Sequence, residues 1–441
     1  LTTADPRELI DQSPMTTAQF VVVAITVLLN ALDGFDVASI AFASPGIARE
    51  WGIARAQLGF VLSMELIGMG LGSFLIGGLA DKIGRRPTLM VCLFVMATGM
   101  FAASTASNPT ILSAWRVFTG LGIGGMLAAT NAVVGEFANK RHRAACIALM
   151  VIGYPLGAGF GGLYASSLIE VYGWRSVFYL GTTATALMLP TVFFLVPESV
   201  HWLTRKQPAD ALNKINAALK KLGQATVSAL PIIQEVDRKK SLGDIFSPEL
   251  MKTTFMVTAT FFFNSISFYF LAKWGPQIVS SMGFPDSAAG RVLAMANVGG
   301  AVGGIVFGFL TARFGLKPAT LVVLIANAIA ISIFGRTPAD LNTITMLAMA
   351  VNFCGNAAIS GMFSTMAFAF PTHVRASGTG FAIGVGRAGS ALSPILAGYL
   401  LQWGFTLPTI CLVMGSGSLL SALVLVFLKI EATAGEAHAG H

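Results

Sequence analysis

Long apolar runs alternate with short polar breaks along almost the whole chain. The apolar windows predict helices near 18–43, 57–80, 88–106, 110–134, 143–168, 174–195, 252–280, 288–311, 319–337, 341–365, 374–402 and 405–428. Most are about 20 residues or longer, the length a helix needs to cross a hydrocarbon layer at ~1.5 Å per residue. The ten-residue alternation of a membrane barrel is not the pattern seen. The expectation is an all-α integral membrane protein with twelve transmembrane helices.

One long polar connection, 196–251, splits the spans six and six, and a repeat supports that division. "LSMELIGMGLGSFLIGGLADKIGRRP" from Leu62 matches "LAMANVGGAVGGIVFGFLTARFGLKP" from Leu293 at a constant offset. Gly68, Gly72, Gly77, Gly84 and Pro87 meet Gly299, Gly303, Gly308, Gly315 and Pro318. A looser match pairs the strings that start at Arg143 and Arg375. The expected organisation is a tail (1–17), a six-helix half (18–195), a linker loop (196–251), a second six-helix half (252–428) and a tail (429–441). Two parallel halves of this kind suit a carrier that rocks one half against the other. Gly68/Gly72, Gly299/Gly303 and Gly304/Gly308 have the spacing that lets helix backbones approach closely, and their recurrence points to a moving interface.

Composition agrees with a membrane solvent. Of 441 residues, 55% are hydrophobic and only 11% charged, against about 25% charged in a soluble domain. The net charge of +8 could suggest nucleic acid, but the placement of the 28 basic residues records topology instead. With the amino terminus taken as cytoplasmic, most of them fall in inside segments. The outside loops hold Arg49, Arg55, Arg175, Arg291 and Arg336. Both termini are thus expected in the cytoplasm. The sequence starts at Leu1 without an initiator methionine, and its first residues carry acids and no apolar core, unlike a secretory signal. Cys92, Cys146, Cys354 and Cys411 sit in apolar segments and read as small hydrophobes, neither disulfides nor a metal site. The histidines lie in loops or tails without ligand spacing, so neither an enzyme nor a metal centre is expected, and no cofactor is implied. A channel would need repeated filter elements, which are absent from the sequence.

The string "GGLADKIGRRP" (77–87) is the most specific in the chain. It resembles the loop between the second and third spans of the major facilitator superfamily, with Gly77, Asp81, Gly84, Arg85 and Arg86 at that family's positions. The resemblance implies the major facilitator fold, two pseudo-symmetric six-helix halves. Asp81 can cap a helix and pair with a basic residue across the interface of the halves. Such a pair would act as a gate. The second copy has Ala312 in its place, so the latch is one-sided.

Seven charges lie within or at the ends of spans, where a lone ion costs at least about 2.5–3.5 kcal/mol. Asp33 and Asp36 share a face of the first span, ~15 and ~10 Å from its outer end. Arg116, Glu65 and Lys273 fall at similar depths, at ~9–12 Å. Arg387 is mid-span, and Glu136 closes the fourth span beside "NKRHR". Mixed signs at one depth make the charges tolerable by mutual compensation. Fixed ion pairs that set helix register are the plain alternative to a transport role. For Glu65 the plain alternative is a bond to a neighbouring helix, for Glu136 a cytoplasmic salt bridge, and for Lys273 snorkelling to the interface.

"DGFD" at Asp33, "RVFTGLGIGG" from Arg116, Glu136 and "RASGTGFAIGVGRAG" from Arg375 together resemble the aromatic acid:proton symporters. The resemblance covers roughly 20–430. It implies import of a small aromatic carboxylate with protons, and it marks Asp33, Asp36, Asp81, Arg116, Glu136, Arg375 and Arg387 as matching positions. In related transporters spans 1, 4, 7 and 10 line the cavity, which would expose Asp33, Asp36, Arg116 and Lys273. Span 7 adds Asn264, Tyr269 and Lys273, and span 10 adds Asn352 and Asn356, four apart on one face. Aromatic rings beside a base suit a ring bearing a carboxylate.

The expected roles are therefore proton coupling by Asp33, Asp36 and Glu136. Substrate contacts are expected from Arg116, Asn264, Tyr269, Lys273, Asn352, Asn356 and Arg387. Gating falls to Gly77, Asp81, Gly84, Arg85, Arg86 and Arg375. The expected partners are a small aromatic carboxylate, protons and the lipid bilayer of a bacterial inner membrane, with no nucleic acid, for a monomer. The alternatives are a symporter of a non-aromatic organic acid such as muconate, and a proton antiporter that exports drugs. Against the antiporter, Ala158 in "GYPLGAGFGG" stands where that motif carries proline.

Overall fold

The computed structural model describes residues 5–231, 242–371 and 374–428, except the side chains of 242, 243, 375 and 376. Helices account for most of them. The first part of the chain forms α1 (Pro6–Gln12), α2 (Thr17–Trp51), α3 (Arg55–Leu75), α4 (Leu79–Ile83), α5 (Arg85–Ser104), α6 (Pro109–Phe137), α7 (Arg143–Tyr172) and α8 (Arg175–Leu195). Two short helices follow, α9 (Val200–Lys206) and α10 (Ala211–Lys221). The later part forms α11 (Met251–Ser281), α12 (Asp286–Phe314), α13 (Leu316–Phe334), α14 (Leu341–Ala369), α15 (Arg375–Gln402) and α16 (Leu407–Phe427). Eleven spans among the described residues are long and apolar enough to cross a membrane. Helix α15 is as long as its neighbours but less apolar, since it carries Arg387, Ser390, Ser393 and Pro394. The helical membrane architecture expected from the apolar windows is the one observed.

Local chemistry sets the helix ends. Asn108 accepts a hydrogen bond from the Ile111 amide at 2.9 Å, with Pro109 in the first turn of α6. Asp340 does the same for the Thr343 amide at the start of α14. The repeat explains itself at Gly84 and Gly315. These matched residues join α4 to α5 and α12 to α13 with φ of 108° and 82°, a left-handed region where a side chain would be strained.

Helix α2 runs eight residues past its expected end. Pro45 removes a donor that the Ala41 carbonyl would otherwise use, and the preceding Ser44 hydroxyl donates to that carbonyl at 2.8 Å. The freed backbone group is satisfied, so the helix continues. The polar connection likewise holds more order than its composition predicted. Ser199 caps α9, and α10 is amphipathic, burying Ala211, Ile215, Ala218 and Leu219.

Close packing divides the chain into two compact units. The first is drawn from Leu1–Ser39, Ile67–Gly161 and Val171–Val236. The second is drawn from Ile40–Leu66, Gly162–Glu170 and Asp237–His441. Consecutive spans reverse direction, so we call the side where α2 ends, with the α2–α3 and α15–α16 connections, the distal side. The second unit thus combines the distal ends of α2, α3 and α7 with the later helices.

The matched glycines do the same work in each unit. In the first, Gly68 and Gly72 of α3 meet the Val117 and Leu121 backbone of α6 so closely that a Cβ would overlap it. In the second, a Cβ on Gly299 of α12 would lie 2.8 Å from the Met349 carbonyl of α14, and Gly303 meets Phe353 in the same way. These contacts lie within a unit, so the glycines seal helix pairs in place of the moving interface expected of them. Gly308 has nothing within 4 Å. G303A is therefore expected to lower the stability of detergent-purified protein by about 1–3 kcal/mol. G308A should leave the thermal unfolding midpoint unchanged or raise it.

Candidate functional site

In the first unit, α2 carries Asp33 and Asp36 inward, at 1% and 0% exposure. Three residues of helix put both on one face. The fully buried Arg116 of α6 meets that face: its Nη2 donates to the Asp36 carbonyl at 2.9 Å. Its Nη1 lies 2.9 Å from Met100 Sδ on α5, and the guanidinium sits 5.4 Å from the Phe178 ring centroid of α8. A Cβ on Gly181 would come within 3.0 Å of an Asp36 carboxylate oxygen, so glycine there leaves the carboxylate its space. Asp33 lies in the electrostatic neighbourhood of Cys92 on α5. The aspartates and Arg116 thus face α5 and α8, not lipid.

In the second unit, Lys273 Nζ of α11 donates to Glu65 Oε2 of α3 at 3.3 Å. One turn away on α11, Tyr269 hydrogen-bonds Ser390 of α15 and lies within electrostatic reach of Arg387 and Glu65. The Phe268 ring meets it edge-on, with centroids 5.2 Å apart. Glu65, Tyr269, Lys273 and Arg387 therefore form one cluster. The other candidates point elsewhere. Asn264 lies within 3.5 Å of the Ser418 hydroxyl of α16, which in turn accepts from Asn327 of α13 at 2.9 Å. Asn352 and Asn356 donate to carbonyls of their own helix, and Asn356 packs on Gly300 of α12.

The gating string folds into a network within the first unit. Gly77 closes α3 through its amide on the Gly72 carbonyl. Arg85, 8% exposed at its side chain, reaches Glu136 with Nη2 at 2.6 Å and Asp81 with Nη1 at 2.9 Å. Asp81 also accepts from Arg205 of α9 at 2.7 Å. Arg86 stacks on Phe193 at 4.7 Å. Asp81 thus finds its bases in its own unit, where pairing across the two halves was expected. The reason is α9, which brings Arg205 back over the α3–α5 turn. Glu136 takes Arg85, not the neighbouring "NKRHR" bases, because Arg85 opens α5 facing the end of α6. The side chain of Arg375 lies outside the described residues.

A family model described as the Major Facilitator Superfamily matches residues 26–386 and 276–440. The chain belongs to that superfamily. It is 29% identical over 437 residues to the 4-hydroxybenzoate transporter PcaK of Pseudomonas aeruginosa, covering 98% of this chain and 97% of that protein. It is 27% identical over 426 residues to a gallate transporter of Pseudomonas putida, covering 96% and 94%. Among solved structures, the xylose transporter XylE of Escherichia coli has the same fold, with a TM-score of 0.72 at 16% identity over 95% of this chain and 98% of that one.

This major facilitator also uses residues that sequence reasoning passed over. Glu198, just before α9, accepts from the Arg85 and Ser199 amides at 2.8 Å each. It fills the space above Gly84, where a Cβ would strike its carboxylate. Burial pushes its carboxyl above the usual range. Trp202 donates to the Asp81 carbonyl at 3.1 Å. The signal available was "PES" followed by "HWLTR" directly after the sixth span, polar and aromatic residues at a membrane exit.

E136Q removes the charge that Arg85 holds on two nitrogens, and is expected to lower stability by about 1.5–3 kcal/mol in chemical unfolding. His201 of α9 is held below its ordinary value of 6.5, first by burial and also by Arg143 and Arg7, against the opposing pull of Glu136 and Asp11. A histidine kept neutral in the fold takes up more protons when unfolded, so its contribution is present above 6.5 and lost as pH falls through the lower folded value. The unfolding midpoint should drop on acidification from about pH 7 to 5, and H201Q should flatten that drop.

Proposed function

We propose that this transporter imports a small aromatic carboxylate, a benzoate or hydroxybenzoate, together with protons by alternating access. It would do so across a bacterial inner membrane with both termini in the cytoplasm and the distal side outward. The moving parts are the six-helix halves 18–195 and 252–428, and the protein works as a monomer. The observation that carries this reading is the cluster of Tyr269, Lys273 and Arg387, two cations beside a phenol ring. A carboxylate fits the cations and its ring fits the aromatic face. The near full-length similarity to transporters named for 4-hydroxybenzoate and gallate supports it. Asn352 and Asn356, partly satisfied by their own helix, retain polar capacity for ring hydroxyls.

Asp33, Asp36 and Arg116 supply the coupling. In the empty carrier the three acids within the spans, Asp33, Asp36 and Glu65, balance the three bases, Arg116, Lys273 and Arg387. A proton on one aspartate leaves positive charge in excess, and the substrate anion restores the balance. The carrier then closes easily only when both are aboard, because a half-loaded one buries net charge. Glu136 and Arg85, with Asp81 and Arg205, hold the inner end of the first half.

In proteoliposomes, the wild type should accumulate labelled 4-hydroxybenzoate about tenfold per unit of imposed pH gradient for each proton that travels with the anion. D33N and D36N should each abolish that accumulation. Full accumulation by either variant would remove that aspartate from the coupling.

A further inference from the structure

The distal side of the second unit is closed by contacts of two very different kinds. At its rim, Arg49 of α2 pairs with Asp286 of α12, and Arg291 of α12 pairs with Glu170 of α7 at 3.9 Å. Arg49, Arg291 and Glu170 are largely exposed, and exposed pairs contribute little. Deeper in, α3 and α15 touch at backbone distance. A Cβ on Gly59 would lie 2.5 Å from the Pro394 carbonyl, and one on Gly398 would lie 2.7 Å from the Arg55 carbonyl. The Ala56 amide donates to Gln402 at 3.1 Å, and Trp274 of α11 donates to that same Pro394 carbonyl at 3.0 Å. Beneath this seam lies the Glu65–Lys273 pair, 0% and 1% exposed.

The pair joins a helix of the first sequence half to one of the second, so distal opening must pull it apart. Opening also admits water, which solvates both ions. Closing without the pair strands an ion in a dry site, and breaking a buried pair from one side is strongly unfavourable. The charged and titratable groups around Glu65 include Lys273 and Tyr269 of α11 and, behind Tyr269, Arg387 of α15.

We propose that Glu65 is a further proton-coupling residue, and that its ion pair with Lys273 is the lock that lets the empty carrier close its distal side. When Lys273 takes a substrate carboxylate, Glu65 loses its counter-ion. The distal side then closes only after a Glu65 oxygen has bonded a proton from the outer water. On the inner side the anion leaves, Glu65 returns that proton, and the pair re-forms. This step rests on the proposed carboxylate import, but the lock itself does not.

The test uses the full chain with spin labels at Q57C and T406C, both exposed on the distal side. The four native cysteines are replaced by alanine, and distances are read without substrate. In the parent, acidification from pH 7.5 to 4.5 should add a longer-distance component, because protonated Glu65 no longer balances Lys273. In E65Q that component should be present at both pH values, with the pH response lost, and E65D should restore it. In K273Q the response should reverse, since a carboxylate that has lost the Lys273 ammonium now disfavours closure until it is protonated. A merely structural pair would give no reversal. A parent-like pH response in E65Q or in K273Q overturns the proposal. A parent that moves no aromatic acid in proteoliposomes while these shifts appear overturns the substrate reading and leaves the lock standing.

Discussion

An ion inside an apolar slab has to be met at contact distance by an opposite charge, a dipole or water, and that requirement orders the interior of this protein. Arg116 turns its guanidinium onto the Asp36 carbonyl and the Phe178 face. Lys273 turns onto Glu65. The same rule covers uncharged groups, for Ser44 fills in for the amide that Pro45 lacks. Helix α11 shows the consequence for rotation. Its Asn264 and Ser267 are directed at α16, its Tyr269 and Trp274 at α15, and its Lys273 at α3. No single turn of that helix satisfies all five unless these neighbours stand where they do. The polar residues thus fix register that apolar packing alone would leave loose.

Glycine supplies the second half of the scheme. Buried polar contacts reach only a few ångströms, so helices that share them need to lie close. The matched Gly68/Gly72 and Gly299/Gly303 pairs bring α3 to α6 and α12 to α14 at backbone distance. Gly59 and Gly398 do so for α3 and α15. The close seam excludes water from Glu65 and Lys273, and exclusion of water is what makes their charges matter.

The fold was largely legible because the membrane imposes a length and an apolar composition on each span, and because the repeat reports duplicated glycines directly. Two features were hidden. The extension of α2 depends on one serine next to one proline, which a hydropathy window averages away. Helices α9 and α10 are too short and polar for such a window, yet α9 delivers Arg205 and Trp202 to Asp81. At the candidate site, depth along the spans predicted that acids and bases meet, but not which ones meet. Glu65 and Lys273 stood at matched depth with opposite sign, which was the available signal for their pairing. Asn264 was read as cavity-facing because it shares a helix with Lys273. Nine residues separate the two, about two and a half turns, so Asn264 comes out on the other side of the helix and faces Ser418 instead.

The contrast between rim and interior bears on which charges can act as a switch. Arg49 and Arg291 meet their partners in water, so breaking those pairs exchanges one set of weak interactions for another. The Glu65–Lys273 pair differs because its two states differ in solvation. Closed and dry, each ion depends on the other; open and wet, neither does. A charge arriving with substrate or a proton arriving from water therefore changes the energy of the closed state far more than that of the open one. A ligand shifts a conformational equilibrium only through such a difference. Burial is what turns an ordinary carboxylate and amine into a device that can sense whether both passengers are present.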